Sequence, residues 1–215
     1  VEEILVGSHD YYLYSLKSDG KFNWKYKTDD EIHSSPIVGT LDDDRGMNPN
    51  TDGGVIYVGS RDNYLHAICF GTRALQSGTE GSYNVFNNGE LMWKFDAGAN
   101  VDSSPLIFTA YNSKFTPEGG PYPTKALAFG SGNKIIFIGL NRMDPFKAPT
   151  IIQEINTEGE VNSNPAINDS KNRIFITSEG GFLYIVETEG LKTLMKLDSG
   201  GDLSSPVIFY DNKFD

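Results

Sequence analysis

Four times in this chain a Gly-Ser-like pair is followed, six residues after its first member, by an aliphatic residue, and each such unit runs on into a Ser-Ser-Pro-like triplet. The copies are Gly7-Ser8 with Leu13 and Ser34-Ser35-Pro36, Gly59-Ser60 with Leu65 and Ser103-Ser104-Pro105, Gly130-Ser131 with Ile136 and Ser163-Asn164-Pro165, and Thr177-Ser178 with Leu183 and Ser204-Ser205-Pro206. An internal repeat of this kind constrains architecture more than any single residue. One such unit cannot bury its own apolar face and has to stack against its copies.

The spacing identifies the unit. From Pro165 to Pro206 is 41 residues, the length of one four-stranded propeller blade. The intervals of 69 residues from Pro36 to Pro105 and 60 from Pro105 to Pro165 contain insertions between fixed anchors. Trp24 and Trp93 each lie 12 residues before their proline and four after a glycine, Gly20 and Gly89. Leu194 and Gly190 take these places in the fourth copy, and Gln153 and Pro149 in the third, which is the degenerate one.

Each unit divides into short strands. Ile4 to Val6, Val55 to Val58, Ala126 to Phe129 and Arg173 to Ile176 end in Gly-Ser or Thr-Ser. After a turn come the alternating stretches Tyr12 to Leu16, Tyr64 to Ile68, Ile135 to Leu140 and Phe182 to Val186, rich in residues suited to a pleated surface. A Gly-bearing turn leads into the Trp strand. The proline triplet opens the fourth strand, where a missing N–H is tolerated. No window shows a helical period. The expectation is an all-β chain.

The pattern Val-Gly-Ser-(x)4-Leu-Tyr-Ser-Leu, then Gly-(x)3-Trp, then Ser-Ser-Pro, resembles the repeat of the pyrroloquinoline-quinone-like (PQQ-like) β-propellers across essentially all 215 residues. The resemblance implies a β-propeller of four-stranded antiparallel blades, with the Ser-Ser-Pro strand innermost and the Trp strand outermost, its ring packed between neighbouring blades. The family includes quinone-dependent dehydrogenases, outer-membrane assembly scaffolds and sensor or adhesion modules, so function has to come from the site. Family rings usually hold seven or eight blades and this chain holds four repeats, anchored at Pro36, Pro105, Pro165 and Pro206. The chain starts without Met on the second strand of a blade and ends on a first strand, Pro206 to Phe209. Two readings of this single domain of residues 1–215 follow: part of a larger ring, or a four-bladed ring closed by Val207 to Phe209.

Composition fits a folded domain: 38% of residues are hydrophobic, with 13 Phe and 11 Tyr, enough for a core of this size. The net charge of −11 repels phosphate backbones and anionic lipid, which excludes nucleic acid as a partner and favours cations and basic proteins. No apolar run of 18 residues predicts membrane insertion.

Cys69 is alone, which excludes an intrachain disulfide and Cys-based metal clusters; it reads as a small buried hydrophobe. The sequon Asn168-Asp169-Ser170 falls in a predicted hairpin and matters only in a eukaryotic secretory setting. His9, His33 and His66 lie in different strands and turns, with no nucleophile elbow or phosphate loop. The dehydrogenases that the repeat resembles carry a vicinal cysteine pair against the quinone and calcium beside it. One cysteine cannot supply that pair, which disfavours PQQ as a cofactor, and the chain is expected not to be an enzyme.

The strongest chemical candidate is the loop from Asp42 to Gly54. Oxygen-bearing side chains recur at Asp42, Asp44, Asn48, Asn50 and Asp52, with glycines that allow tight turning, a pattern suited to Ca²⁺. It resembles the Asp-x-Asp-x-Asp-Gly loop of the FG-GAP propeller repeats. Arg45-Gly46 interrupts that motif, no Glu closes the loop, and the segment is longer, so a solvated acidic connection is the competing reading.

Two insertions and one mouth of the ring are candidates for recognition. Gly71 to Asn88 carries Tyr83 and Phe86, and Thr109 to Thr124 carries Tyr111, Phe115 and Tyr122; loop aromatics on a rigid scaffold serve as binding anchors or simply pin the loop down. The residues preceding the triplets, His33, Asp102, Asn162 and Leu203, are expected at one mouth of the channel, where they could hold a small cation or polar ligand. Alternatively, the neighbouring serines Ser34, Ser103, Ser163 and Ser204 satisfy strand-end backbone groups.

The readings that emerge are a non-catalytic scaffold for a protein partner, or for the remainder of its own propeller, within a larger extracellular or periplasmic protein, and a calcium-dependent adhesion or glycan-recognition module. A fragment of a quinone-dependent dehydrogenase is a third.

Overall fold

The computed structural model describes residues 3–39, 54–71, 73–76, 83–110, 124–140, 149–201 and 203, with the side chains of 73–76, 83–85 and 124 excepted. Within these residues the secondary structure is all β, arranged as blade-like antiparallel sheets that follow the repeat. The first sheet comprises β1 (Glu3–Gly7), β2 (Tyr12–Lys17) and β3 (Phe22–Lys27). The second contains β4 (Ile37–Gly39), β5 (Gly54–Gly59) and β6 (Tyr64–Phe70); a separate hairpin of β7 (Arg73–Gln76) and β8 (Tyr83–Phe86) intervenes before β9 (Leu91–Asp96) returns to pair with β6. The third runs β10 (Leu106–Ala110), β11 (Thr124–Ser131), β12 (Lys134–Gly139), β13 (Thr150–Asn156), and the fourth β14 (Ala166–Ile167), β15 (Arg173–Ser178), β16 (Phe182–Glu187), β17 (Thr193–Asp198).

The strands that follow Pro36, Pro105 and Pro165, β4, β10 and β14, lie at one edge of their sheets, and β9, β13 and β17, which hold the place of the Trp strand, at the other. Strands β4 and β10 approach one another, so the proline edges of the second and third sheets meet. The proposed closing strand, Val207 to Phe209, lies outside the described residues.

Each of the four blade-like sheets carries a β-bulge at the same place. The register slips between Ser15/Leu16, Ala67/Ile68, Phe137/Ile138 and Ile185/Val186, which leaves Asn23, Met92, Ile152 and Leu194 as the extra residues. Trp24, Trp93 and Gln153 stand just beyond the bulge, opposite Ser15, Ala67 and Phe137. In the fourth sheet that place belongs to Met195, opposite Ile185, and not to Leu194 as counting back from Pro206 suggests. The connection to the last triplet is one residue shorter than the others, so a count from the proline slips by one.

Packing between sheets explains the composition of the inner strands. On β5, Val55 and Tyr57 join a core with Leu127, Phe129, Ile136 and Ile138 of the third sheet, while Ile56 and Val58 join one with Leu13 and Ile32 of the first sheet and the connection after it. On β11 and β12, Ala126, Ala128, Ile135 and Phe137 turn to Ile174, Ile176 and Tyr184 of the fourth sheet. Side chains alternate along a strand, so a sheet covered on both faces is apolar at successive positions. The two end sheets differ in their interior strands: β2 and β16 alternate buried with half-buried residues. Ile4, Val6 and Phe22 on one sheet and Leu194, Met195 and Leu197 on the other are 42–59% exposed, while on the inner sheets, among the described residues, exposed large hydrophobics are confined to the edge strands, at Val38, Leu91 and Ile151.

The glycine of the Gly-Ser pair is needed where chain segments meet. A methyl group at Gly7 would strike the Ile32 side chain, at Gly59 the carbonyl and side chain of Val101, and at Gly130 those of Val161. These three apolar residues hold one repeat position, just before His33, Asp102 and Asn162.

The insertion from Gly71 to Asn88 is a hairpin, and Phe86 packs against the core between the second and third sheets, which makes it a pinning residue. Cys69 is buried in that core with its thiol donating to the Gly71 carbonyl at 2.9 Å. Asn168 spends its side chain on its own turn, accepting from the Asn172 and Arg173 amides and donating to Asn172 Oδ1, so its amide is not offered to a glycan.

Candidate functional site

The triplet serines act on backbone. Buried Ser34 Oγ accepts from Gly59 N at 2.7 Å and donates to Gly59 O at 2.9 Å, and Ser163 treats Thr177 alike at 3.1 and 2.7 Å. Ser103 Oγ donates to Ser163 O at 2.8 Å. The second residues of the first three triplets link neighbouring sheets: Ser35 N donates to Ser104 Oγ, and Ser104 N to Asn164 Oδ1, both at 2.7 Å. Of the two sequence readings of these serines, the structure supports the satisfaction of strand-end groups.

Three of the residues preceding the triplets, His33, Asp102 and Asn162, face the β1–β2, β5–β6 and β15–β16 turns respectively. His33 stacks on His9 with ring centroids 4.2 Å apart and planes 18° from parallel, and its Nε2 lies 2.7 Å from Glu31 Oε2. Glu31 Oε2 lies 3.6 Å from Arg61 Nη1. Arg61 in turn forms a forked pair with Asp102, Nε to Oδ1 at 3.0 Å and Nη2 to Oδ2 at 3.0 Å. His9, Glu31, His33, Arg61 and Asp102 thus form one continuous polar row from the first sheet to the connection after the second. Asn162 belongs to a second group, donating to Glu179 Oε1 at 2.8 Å and toward Glu160 Oε2 at 3.4 Å. Leu203 is half-buried.

Electrostatics in the row are local. The hydrogen bond from His33 holds the Glu31 carboxyl below the usual carboxylate range, helped by the nearby His9 and Arg61. The Asp102 hydrogen bonds raise the Arg61 guanidinium further, so it stays charged. A forked Arg–carboxylate pair of this kind fixes geometry more than it adds stability near solvent.

Sequence reasoning found His33, Asp102 and Asn162 and missed their partners His9, Glu31, Arg61 and Glu179. The signal was present in a second column of the repeat: His9, Arg61, Gly132 and Glu179 each stand two residues after the first member of the Gly-Ser-like pair.

A buried polar group also escaped the sequence. His66, 2% exposed, places Nε2 within 3.1 Å of both Asp62 oxygens and Nδ1 3.1 Å from the Tyr26 hydroxyl. Asp62 also accepts from the Asp29 and Tyr64 amides. Burial alone would raise the Asp62 pKa, but the His66 bond and charge and the two amides outweigh it and leave it lowered. The Tyr26 hydroxyl is pushed up to about 12 by burial and the Asp62 and Asp29 charges. The same strand position carries Tyr14 bonded to Asp10 and Tyr184 bonded to Glu158. Lysines beyond the bulge lie over aromatic rings in the same repeats, Lys25 over Tyr12, Lys94 over Tyr64 and Lys196 over Phe182, at 3.9 to 4.1 Å. These are repeated structural devices facing bulk or core, and the third copy, with Glu154 and Ile135, lacks them.

The loop residues Asp42, Asp44, Asn48, Asn50 and Asp52 and the aromatics Tyr111, Phe115 and Tyr122 lie outside the described residues. Among the described residues no helix is long and apolar enough to cross a membrane.

The architecture is compatible with a propeller-type fold: blade-like antiparallel sheets packed face against face. It is similar to the crystal structure of Saccharomyces cerevisiae Sqt1, a WD40 protein, with a TM-score of 0.60 at 13% sequence identity over 96% of this chain and 50% of Sqt1. The chain therefore spans half the length of that protein, and the likeness concerns the fold. No protein-family model matches the chain, and no curated protein sequence does.

Proposed function

We propose that this chain is a PQQ-like, non-catalytic propeller segment that serves as a binding or assembly scaffold, completed by further blades within a larger exported protein. The carrying observation is the contrast between sheets. Interior strands β5 and β12 of the inner sheets are buried at successive positions, whereas β2 and β16 of the end sheets alternate buried with half-buried residues, and Ile4, Phe22 and Met195 beside them are 48%, 59% and 49% exposed. Apolar blade faces of this kind call for another blade or a partner. The half-length match to Sqt1 supports the same reading. Ser34, Ser103 and Ser163 are engaged with backbone, so the row from His9 to Asp102 and the group of Asn162, Glu160 and Glu179 are the polar surfaces for recognition beside them, and the negative net charge favours a basic partner.

The test is solution mass against concentration by sedimentation. The exposed end faces are expected to drive reversible self-association of the isolated chain. Phe22→Ser and Leu197→Ser, which remove apolar area from the two end faces, should shift it toward monomer. A chain that is monomeric at all concentrations, with or without these changes, would overturn the proposal that its end faces receive further blades.

A further inference from the structure

The mouth holds the components of a metal centre. His9, Glu31 and His33 each offer one ligand atom, and the three atoms lie within 4.8 Å of one another. Ligands at 2.0–2.1 Å around a tetrahedral ion stand about 3.3 Å apart, so the widest pair must close by about 1.5 Å. His9 is exposed, while the His33 and Glu31 side chains are 26% and 34% exposed; rotation that unstacks His33 from His9 and opens the His33–Glu31 hydrogen bond brings the three atoms to one ion. The main obstacle is the positive charge of Arg61, but its forked pair with Asp102 neutralises it, and its 3.6 Å contact with Glu31 is the weaker of the two. Two imidazoles and one carboxylate suit Zn²⁺ and its neighbours among the transition metals, whereas Ca²⁺ takes oxygen ligands.

We propose that His9, Glu31 and His33 form a site for a divalent transition metal of the Zn²⁺ type at the channel mouth. Three protein ligands leave one tetrahedral position open to water or to a side chain from a bound partner. The ion clips the β1–β2 turn to the connection between β3 and β4. The site does not depend on the scaffold reading, because it uses only residues of this chain.

The chain has three histidines, and His66 is buried against Asp62. Histidine-dependent binding by the folded protein therefore reports on His9 and His33. Chelator-treated protein is titrated with ZnCl2 by calorimetry, and with Co²⁺ by visible absorption, which reads coordination geometry. One ion per chain is expected, retained in excess Ca²⁺. His9→Ala and His33→Ala should each weaken it at least about tenfold, and Glu31→Gln should weaken it as well, with circular dichroism unchanged because the side chains are solvent-facing. Absence of saturable binding, or one-to-one binding that survives both histidine changes, would overturn the site.

Discussion

Trp93→Ala is expected to lower the unfolding free energy by about 3–5 kcal/mol, the cost of emptying a large buried aromatic site. Trp93 is 8% exposed, lies 5.8 Å from the Tyr57 ring, and packs in the core shared by the second and third sheets. Trp24 holds the same register position but is only half-buried, against the Gly89 turn of the next sheet and with its indole N–H on Glu3. Trp24→Ala should therefore cost roughly half as much, about 2 kcal/mol. Urea unfolding of both variants measures the difference. Equal losses would mean that the inter-sheet core does not distinguish an end sheet from an inner one.

Asp62→Ala should cost about 3 kcal/mol at neutral pH, because it strips the buried His66 of its acceptor and leaves the Asp29 and Tyr64 amides without theirs. Tyr26→Phe removes only the hydroxyl end of the network and should cost about 1 kcal/mol. The pH dependence follows from the lowered folded pKa of Asp62. Its contribution is fully present above the ordinary carboxylate range and is lost as pH falls from that range through the folded value. The unaltered protein should therefore lose stability on that acid side, and Asp62→Ala should flatten this part of the profile. A variant as acid-sensitive as the parent would show that the network does not hold the carboxylate ionised.

What the sequence made legible is what repeats. The glycines of the first three pairs, Trp24 and Trp93, and the prolines recur because each answers a steric demand met in more than one copy: the close approach of Ile32, Val101 or Val161, the packing between sheets, the strand start. The bulge was invisible because Asn23, Met92, Ile152 and Leu194 share no chemistry; only pairing defines it, and so Leu194 was taken for Met195. The Asp62–His66 pair hid in a run, Tyr64-Leu65-His66-Ala67-Ile68, that reads as an ordinary alternating strand. The β7–β8 hairpin was obscured by its Gly- and Ser-rich surroundings. His9 stands in a repeat column whose members His9, Arg61, Gly132 and Glu179 share no chemistry, and Glu31 has only its nearness to His33 in sequence to mark it; the fold brings His9 onto that pair.

The bonds between successive triplets give the assembly a direction. Ser35 gives its N–H to the side chain of Ser104, and Ser104 gives its own to Asn164; no bond of this series runs backwards among the described residues. Each blade thus reaches forward with a main-chain proton and is reached from behind through a side-chain oxygen. The two flanks of a blade are in this respect plug and socket. The order of these sheets is therefore written into polarity as well as shape, and a sheet turned back to front would set one triplet N–H against another.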